Sequence, residues 1–213
     1  MRCCLKEINY VNVEYRYKSQ DEENFKIGPI NLKLKKGEIT FIIGGNGSGK
    51  STLGKIITGL YAPDNGEIFI DSNNARNYRI GELFSSIYFD TYLYKKLYGI
   101  DSEMIENKAD EILRKLGLDN KINIEDGSLS SLLLSTGQKK RVALAVRYLE
   151  NSDFYFFDEW AAEQDPEFKK FFYTELLPDL RNQGKCVVAI THDDRYFYIA
   201  DNIVKIEDGK VMS

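Results

Sequence analysis

At 213 residues, with a net charge of −4 and 43% hydrophobic residues, the chain has the length and composition of one soluble α/β domain with a substantial core. The acidic balance speaks against a surface built for nucleic acid, and no apolar run approaches a membrane span. The opening Met1-Arg2-Cys3-Cys4-Leu5-Lys6-Glu7 is not a signal peptide, and Cys3, Cys4 and Cys186 lack metal-ligand or secretory spacing, so a reducing cytosol is the expected setting and any membrane-spanning part belongs to a partner.

From Leu5 to Tyr17 a roughly alternating, aromatic-rich pattern predicts a strand, and the polar stretch from Lys18 to Asn24 predicts an exposed turn. Ile30 to Lys36 alternates apolar and polar residues, the mark of a half-buried strand. These leading strands suggest a small antiparallel sheet. Glu38 to Ile43 is apolar and β-branched, a buried strand, and it runs directly into Gly44-Gly45-Asn46-Gly47-Ser48-Gly49-Lys50-Ser51, followed by Thr52. That stretch fits the phosphate-binding pattern G-x-x-x-x-G-K-[ST]. Ser51 to Thr58 has apolar residues at helical spacing, so strand, glycine loop and helix stand in the order the motif requires. Glycines let successive N–H groups converge on phosphates, and the helix N-terminus adds its positive end. Lys50 can reach the β/γ-phosphates, and the Ser51 hydroxyl is placed for Mg²⁺. The chain is expected to bind a nucleoside triphosphate.

Gly59 to Gly66 is turn chemistry, with Asn65-Gly66 the strongest punctuation. Glu67 to Ile70 and Leu83 to Phe89 read as short strands. Ser102 to Leu116 is an amphipathic helix, with Ser102 as N-cap and Gly117 as stop. It sits in a stretch, about 92–134, read as a mostly helical insertion. Gln138 to Leu149 is a second helix. Then follow a strand over Asp153–Phe157, a helix over Glu167–Asn182 interrupted near Pro178, a strand over Lys185–Ile190, a short helix near Arg195–Ala200, a strand over Asn202–Ile206 and a turn at Asp208-Gly209. Alternating strands and helices imply a mostly parallel sheet covered on both faces.

Three further stretches carry chemistry. Phe154 to Phe157 ends in Asp158-Glu159, so a buried strand can deliver Asp158 to the metal shell while the chain turns Glu159 toward the γ-phosphate as general base. Leu134-Ser135-Thr136-Gly137-Gln138 opens a helix, as an anion-binding end or as ordinary capping. His192, the one histidine, closes a strand on the ligand-collecting side of a parallel sheet.

In this order, the phosphate loop Gly44–Ser51, the signature Leu134–Gln138, the strand ending in Asp158-Glu159, the loop at Asp165 and His192 resemble an ATP-binding cassette (ABC) ATPase domain over essentially the whole chain. Within that family Gly28-Pro-Ile-Asn31, Gly44-Gly45-Asn46, Asp158-Glu-Trp-Ala-Ala-Glu-Gln-Asp165-Pro-Glu-Phe168 and Thr191-His-Asp-Asp-Arg-Tyr-Phe197 resemble bacterial exporters of cyclic peptides, lasso-type microcins and siderophore precursors. The resemblance implies an α/β P-loop NTPase fold with an N-terminal antiparallel β subdomain and a short α-helical subdomain. The core would cover roughly 1–89 and 139–213, and the helical subdomain roughly 90–138.

It also implies roles. ATP and Mg²⁺ would be the ligands, with Gly45, Asn46, Gly47, Ser48, Gly49, Lys50, Ser51 and Thr52 on the phosphates. Tyr17 would stack on adenine, with Tyr15 a close competitor. Ser135, Gly137 and Gln138 would meet ATP held by a second copy in a head-to-tail homodimer. Asp165 would cross that interface, His192 would contact the γ-phosphate, and Glu159 would be the catalytic base. Ser51 and Asp158 would serve the metal. The family's usual glutamine is replaced by Phe89, so Asp90 beside it either takes the metal-side role or is a solvated acid. Trp160 occupies a position that is commonly small. The implied activity is ATP hydrolysis driving export of a peptide or siderophore-like compound through a transmembrane domain, at the cytoplasmic face of the cell membrane. A soluble ABC ATPase switching a binding module on ribosomes or DNA is the alternative from another class, and a cassette that has lost catalysis is a third, against which Glu159 speaks.

Overall fold

The computed structural model describes residues 5–17, 25–75, 78–89 and 92–212. The expected turn at 18–24, the cysteines Cys3 and Cys4, and Asp90 lie outside these residues. In chain order the strands and helices are β1 Glu7–Arg16, β2 Lys26–Lys35, β3 Ile39–Ile43, α1 Lys50–Ile57, β4 Asn65–Ile70, β5 Asn73–Asn74, β6 Phe84–Ile87, α2 Ser102–Lys115, β7 Ile124–Glu125, β8 Ser128–Leu129, α3 Thr136–Glu150, β9 Phe154–Asp158, α4 Pro166–Phe171, α5 Leu177–Asn182, β10 Cys186–Ile190, β11 Asn202–Glu207 and β12 Lys210–Met212.

The central sheet is six-stranded in the order β12-β11-β3-β10-β9-β6. All its neighbours pair in parallel except β11 and β12. A four-stranded antiparallel sheet, β2-β1-β4-β5, stands beside it. Strands β9 and β10 are buried throughout, which is why they read as unbroken apolar runs rather than alternating ones. Alternation along β9 divides the interior in two. Phe154 and Phe156 join α1 and the antiparallel sheet in one core, while Tyr155 and Phe157 join α2, α3, α4 and α5 in the other.

Helix α1 lies close on β9 because Gly54 has no side chain: a Cβ there would stand 2.3 Å from the Phe156 ring. The antiparallel sheet is fastened to the same helix by the buried Tyr10 hydroxyl, which donates to the Ile57 carbonyl at 2.6 Å. Two sheets thus converge on the helix that follows the phosphate loop.

Several local expectations change. Asn65-Gly66 begins β4 instead of ending a turn. Gly66, at φ +90°, faces a register shift in β1 near Asn12, and a Cβ on it would sit 2.4 Å from the Asn12 carbonyl oxygen. The glycine serves a bulge. Asp101, not Ser102, caps α2, its carboxylate accepting from the Glu103 N–H at 2.9 Å. The stretch 92–134 holds the one long helix α2 together with the β7–β8 hairpin, which is bridged to Lys96, so it is less helical than its composition suggests. The break near Pro178 takes the form of a wide π-helical turn over Phe172–Leu176 that delivers the proline into the first turn of α5, where its missing N–H costs nothing. Strand β12 follows the turn at Asp208-Gly209 and was not foreseen.

Candidate functional site

The phosphate loop leaves β3 at Gly44 and enters α1 through Gly49, which holds a left-handed φ of +106° that other residues adopt only under strain. Gly44 is fixed by proximity: a Cβ there would lie 2.3 Å from the Ile206 carbonyl oxygen. The loop is also hooked from behind. The Gly209 N–H donates to the Ser48 carbonyl at 2.9 Å, and the Gly209 carbonyl accepts from the Gly28 N–H at 2.8 Å.

Lys50 is 6% exposed, and its ammonium donates to the carbonyls of Gly44 and Gly45 at 3.0 and 2.9 Å. The lysine curls over its own loop, using carbonyls as acceptors where phosphate oxygens would serve better. The Ser48 hydroxyl is buried with no hydrogen-bond partner among the described residues, a polar atom directed into the loop without an acceptor or donor of its own.

At the end of β9, the Ser51 hydroxyl donates to the Asp158 carboxylate at 3.4 Å. Asp158 is 5% exposed. Burial, and then the neighbouring charge of Glu159, raises its pKa above the ordinary carboxylate value. Ser51 and Asp158 thus stand together in a pocket that disfavours an uncompensated negative charge. Such a donor set fits a hard divalent cation, whose charge offsets what burial opposes.

Glu159 has a left-handed backbone, φ +48°, and opens a single 3-10 turn, Trp160–Glu163. That kink takes its side chain off the strand's alternation and onto His192, whose Nε2 lies 2.8 Å from the carboxylate. The pairing of Asp158 with Ile190 in adjacent strands brings these two chain ends level. A cavity of about 220 Å³ opens beside them, lined also by Lys169, Tyr173, Thr191 and Arg195. A larger cavity of about 520 Å³ lies between the end of α1 and β4, and none of the predicted site residues lines it.

Tyr17 is 36% exposed and its hydroxyl is 3.2 Å from that of Thr52 at the start of α1. Tyr15 stacks on Tyr61 with ring centres 4.9 Å apart, so one of its faces is occupied, whereas Tyr17 meets both rings only at their edges. Tyr61 completes this cluster. It stands in the stretch read as turn chemistry, where nothing local singles out an aromatic contact.

Ser135 and Gln138 form a reciprocal capping box at the start of α3. The Ser135 hydroxyl accepts from the Gln138 N–H at 3.3 Å, and the Gln138 side chain accepts from the Ser135 N–H at 3.0 Å. Asp165 caps α4 through the Phe168 N–H at 2.8 Å and pairs with Arg141. The backbone hydrogen bond and, after it, Arg141 hold its carboxyl below the usual range. Gln164 accepts from Arg141 at 3.0 Å and donates to the Gly137 carbonyl at 3.4 Å. Within this one chain, then, the Ser135–Gln138 segment is tied to the Asp165 loop. Arg141 and Gln164 were not anticipated, because their roles depend on partners distant in sequence.

A family profile described as ABC transporter matches residues 27–162. The ATP-binding protein SyrD of Pseudomonas syringae pv. syringae is 45% identical over 97% of this chain and 38% of its own length. The macrolide export ATP-binding/permease protein MacB of Haemophilus ducreyi is 30% identical, over 97% of this chain and 32% of its own length. The chain therefore spans only about a third of the length of these relatives. Among solved structures, the bacterial ABC transporter cassette MJ0796 superposes with a TM-score of 0.79 at 25% identity, covering 97% of both chains. It is described as dimeric, and also in a post-hydrolysis state bound to ADP and Pi.

Proposed function

The chain belongs to the ABC transporter family, and on that premise we propose that it is the ATP-hydrolysing cassette of an exporter. The observation that carries this reading is the Glu159–His192 contact at 2.8 Å, placed one residue beyond the Ser51–Asp158 pair. It supplies a polarising carboxylate and a second polar group beside a phosphate loop that is otherwise limited to binding.

Each side chain then has a task. Lys50 exchanges its loop carbonyls for the β/γ-phosphate oxygens of ATP, and the N–H groups from Gly45 to Thr52 cradle the chain of phosphates. Tyr17 offers a half-open ring for the base. Ser51 and Asp158 would hold Mg²⁺, which supplies charge neutralisation for the transferring phosphoryl group. Phe89 offers no oxygen, and Asp90 next to it would supply one. Glu159 accepts a proton from the attacking water, while His192 fixes the carboxylate and reaches the γ-phosphate side.

The exposed capping box at Ser135, with Gly137 and Gln138, faces a second copy in a head-to-tail dimer, and Asp165 joins that contact. The dimeric MJ0796 cassette supports this assembly. Among the described residues no helix is long and apolar enough to cross a membrane. In this reading a transmembrane domain, fused or separate, completes the exporter and docks with the cassette at the cytoplasmic face. The segment after β6, with Tyr92, Tyr94 and Tyr98 each more than two-thirds exposed, is a surface suited to it. The sequence resemblance favours a peptide or siderophore-like cargo.

Glu159→Gln tests the reading directly. It should retain ATP binding, lower phosphate release roughly 100-fold or more, and accumulate an ATP-bound dimer in sedimentation. Turnover within a few-fold of the unaltered protein would overturn it.

A further inference from the structure

One residue of α3 grips the turn that follows Glu159 at both ends. At its start, the buried Trp160 indole N–H donates to the Lys140 carbonyl at 3.2 Å. At its end, the Glu163 carboxylate lies 2.8 Å from the Lys140 ammonium. That ammonium also lies over the Phe89 ring, 4.6 Å from its centre. Lys140 is 4% exposed, whereas Phe89, just past β6, is 46% exposed.

Stability does not call for this arrangement. The ammonium is withdrawn from water, held by one carboxylate and one ring face, and makes no directed hydrogen bond among the described residues. An apolar side chain of similar length would fill the space without the cost of desolvating a charge. What the charge adds is connection between elements. It reaches from α3 to the far end of the turn in one direction and to the loop after β6 in the other.

We propose that Lys140 is a positioning residue for hydrolysis, linking the placement of Phe89 to the turn that fixes Glu159. The proposal rests on the reading of Glu159 as the base. Whatever seats on the exposed aromatic segment after β6 would shift Phe89 and so change the ring face available to Lys140. A Lys140 freed from Phe89 leaves Glu163 and the Trp160–Glu163 turn less constrained, and Glu159 is the residue from which that turn begins. Turnover of ATP is in this way made sensitive to that surface without any contact between the surface and the nucleotide.

Steady-state hydrolysis in Lys140→Met, Phe89→Leu and the double variant tests this, with the unaltered protein and Glu159→Gln alongside. Lys140→Met should lower kcat about ten-fold and Phe89→Leu about three-fold, each leaving the KM for ATP within about two-fold. The double variant should be no slower than Lys140→Met, because both changes break one contact. Lys140→Arg should keep most of the rate, since a guanidinium can pair with Glu163 and lie on the ring. Unchanged kcat in the single variants, losses that multiply in the double variant, or a KM that rises in step with the loss would overturn the proposal. Phe89→Leu alters a half-exposed side chain and decides the matter by itself if Lys140→Met does not fold: an unaltered kcat in it overturns the link. A drop in Glu159→Gln confirms the base independently, so failure of the link is distinguishable from failure of the base.

Discussion

The carboxylate of Glu159 and the imidazole of His192 lie 2.8 Å apart at the ends of the adjacent strands β9 and β10. The contact depends on the left-handed backbone of Glu159, which a strand continuing straight would not provide. Replacing His192 by Ala therefore leaves the carboxylate present but unheld. Phosphate release should fall roughly 30- to 100-fold with the KM for ATP within a few-fold, and thermal stability should change little because the imidazole is close to half exposed. A rate within two-fold of the unaltered protein would remove His192 from the site.

Tyr17 and Tyr15 separate by what covers them. Tyr17→Ala should weaken ATP binding about five- to twenty-fold, with Tyr17→Phe close to unaltered, since a stacking ring does not need its hydroxyl. Tyr15→Ala should instead lower the melting temperature, because Tyr15 stacks on Tyr61. Equilibrium titration and melting curves of the three variants check the assignment, and an affinity loss larger in Tyr15→Ala than in Tyr17→Ala would reverse it.

Gly54→Ala places a methyl group 2.3 Å from the Phe156 ring. We expect a loss of about 1–3 kcal/mol in unfolding free energy, together with weaker nucleotide binding, as α1 is lifted from the strand that carries Asp158. Phe156→Leu in the same chain should recover part of both. Denaturant unfolding measures the first effect, and stability equal to that of the unaltered protein would contradict the packing.

Asp193 gives a pH dependence of definite sign. Its carboxylate takes both arms of Arg195, at 2.8 and 2.7 Å, and that hydrogen bonding, with lesser help from Lys169, lowers its pKa from 3.8. A lowered folded-state pKa contributes stability that is full above 3.8 and disappears as pH falls through the folded value. Asp193→Asn should thus melt about 1–3 °C lower at neutral pH, a modest effect because Arg195 is exposed and solvent screens the pair. The difference should shrink progressively below pH 3.8. A gap that stays constant across that range would show that the charge is not responsible.

Local chemistry explains what could be read from the residues beforehand. The glycines and Lys50 of the phosphate loop, the apolar run ending in Asp158, and Ser135 with Gln138 each announce themselves within a few positions. The family resemblance supplied the further expectation that Glu159 and His192 share a site. Pairings such as Lys140 with Glu163, Arg141 with Gln164 and Tyr61 with Tyr15 left no mark, because each joins elements whose approach is set by the whole sheet order. Short strands were the other blind spot. Strands β7, β8 and β12 are too brief to establish a period, and Asn65-Gly66 carries turn composition while serving a bulge.

The hook at Gly209 puts a hairpin that supplies no side chain to the site in charge of how the phosphate loop rests. Sequence variation there would be scored in a binding assay as though it lay within the loop itself, which complicates any mapping of affinity onto motif residues. The same link makes the Gly209 amide a built-in gauge. Its hydrogen exchanges with deuterium only when the Ser48 carbonyl lets go, so occupancy of the loop can be followed at a residue outside the phosphate-binding motif.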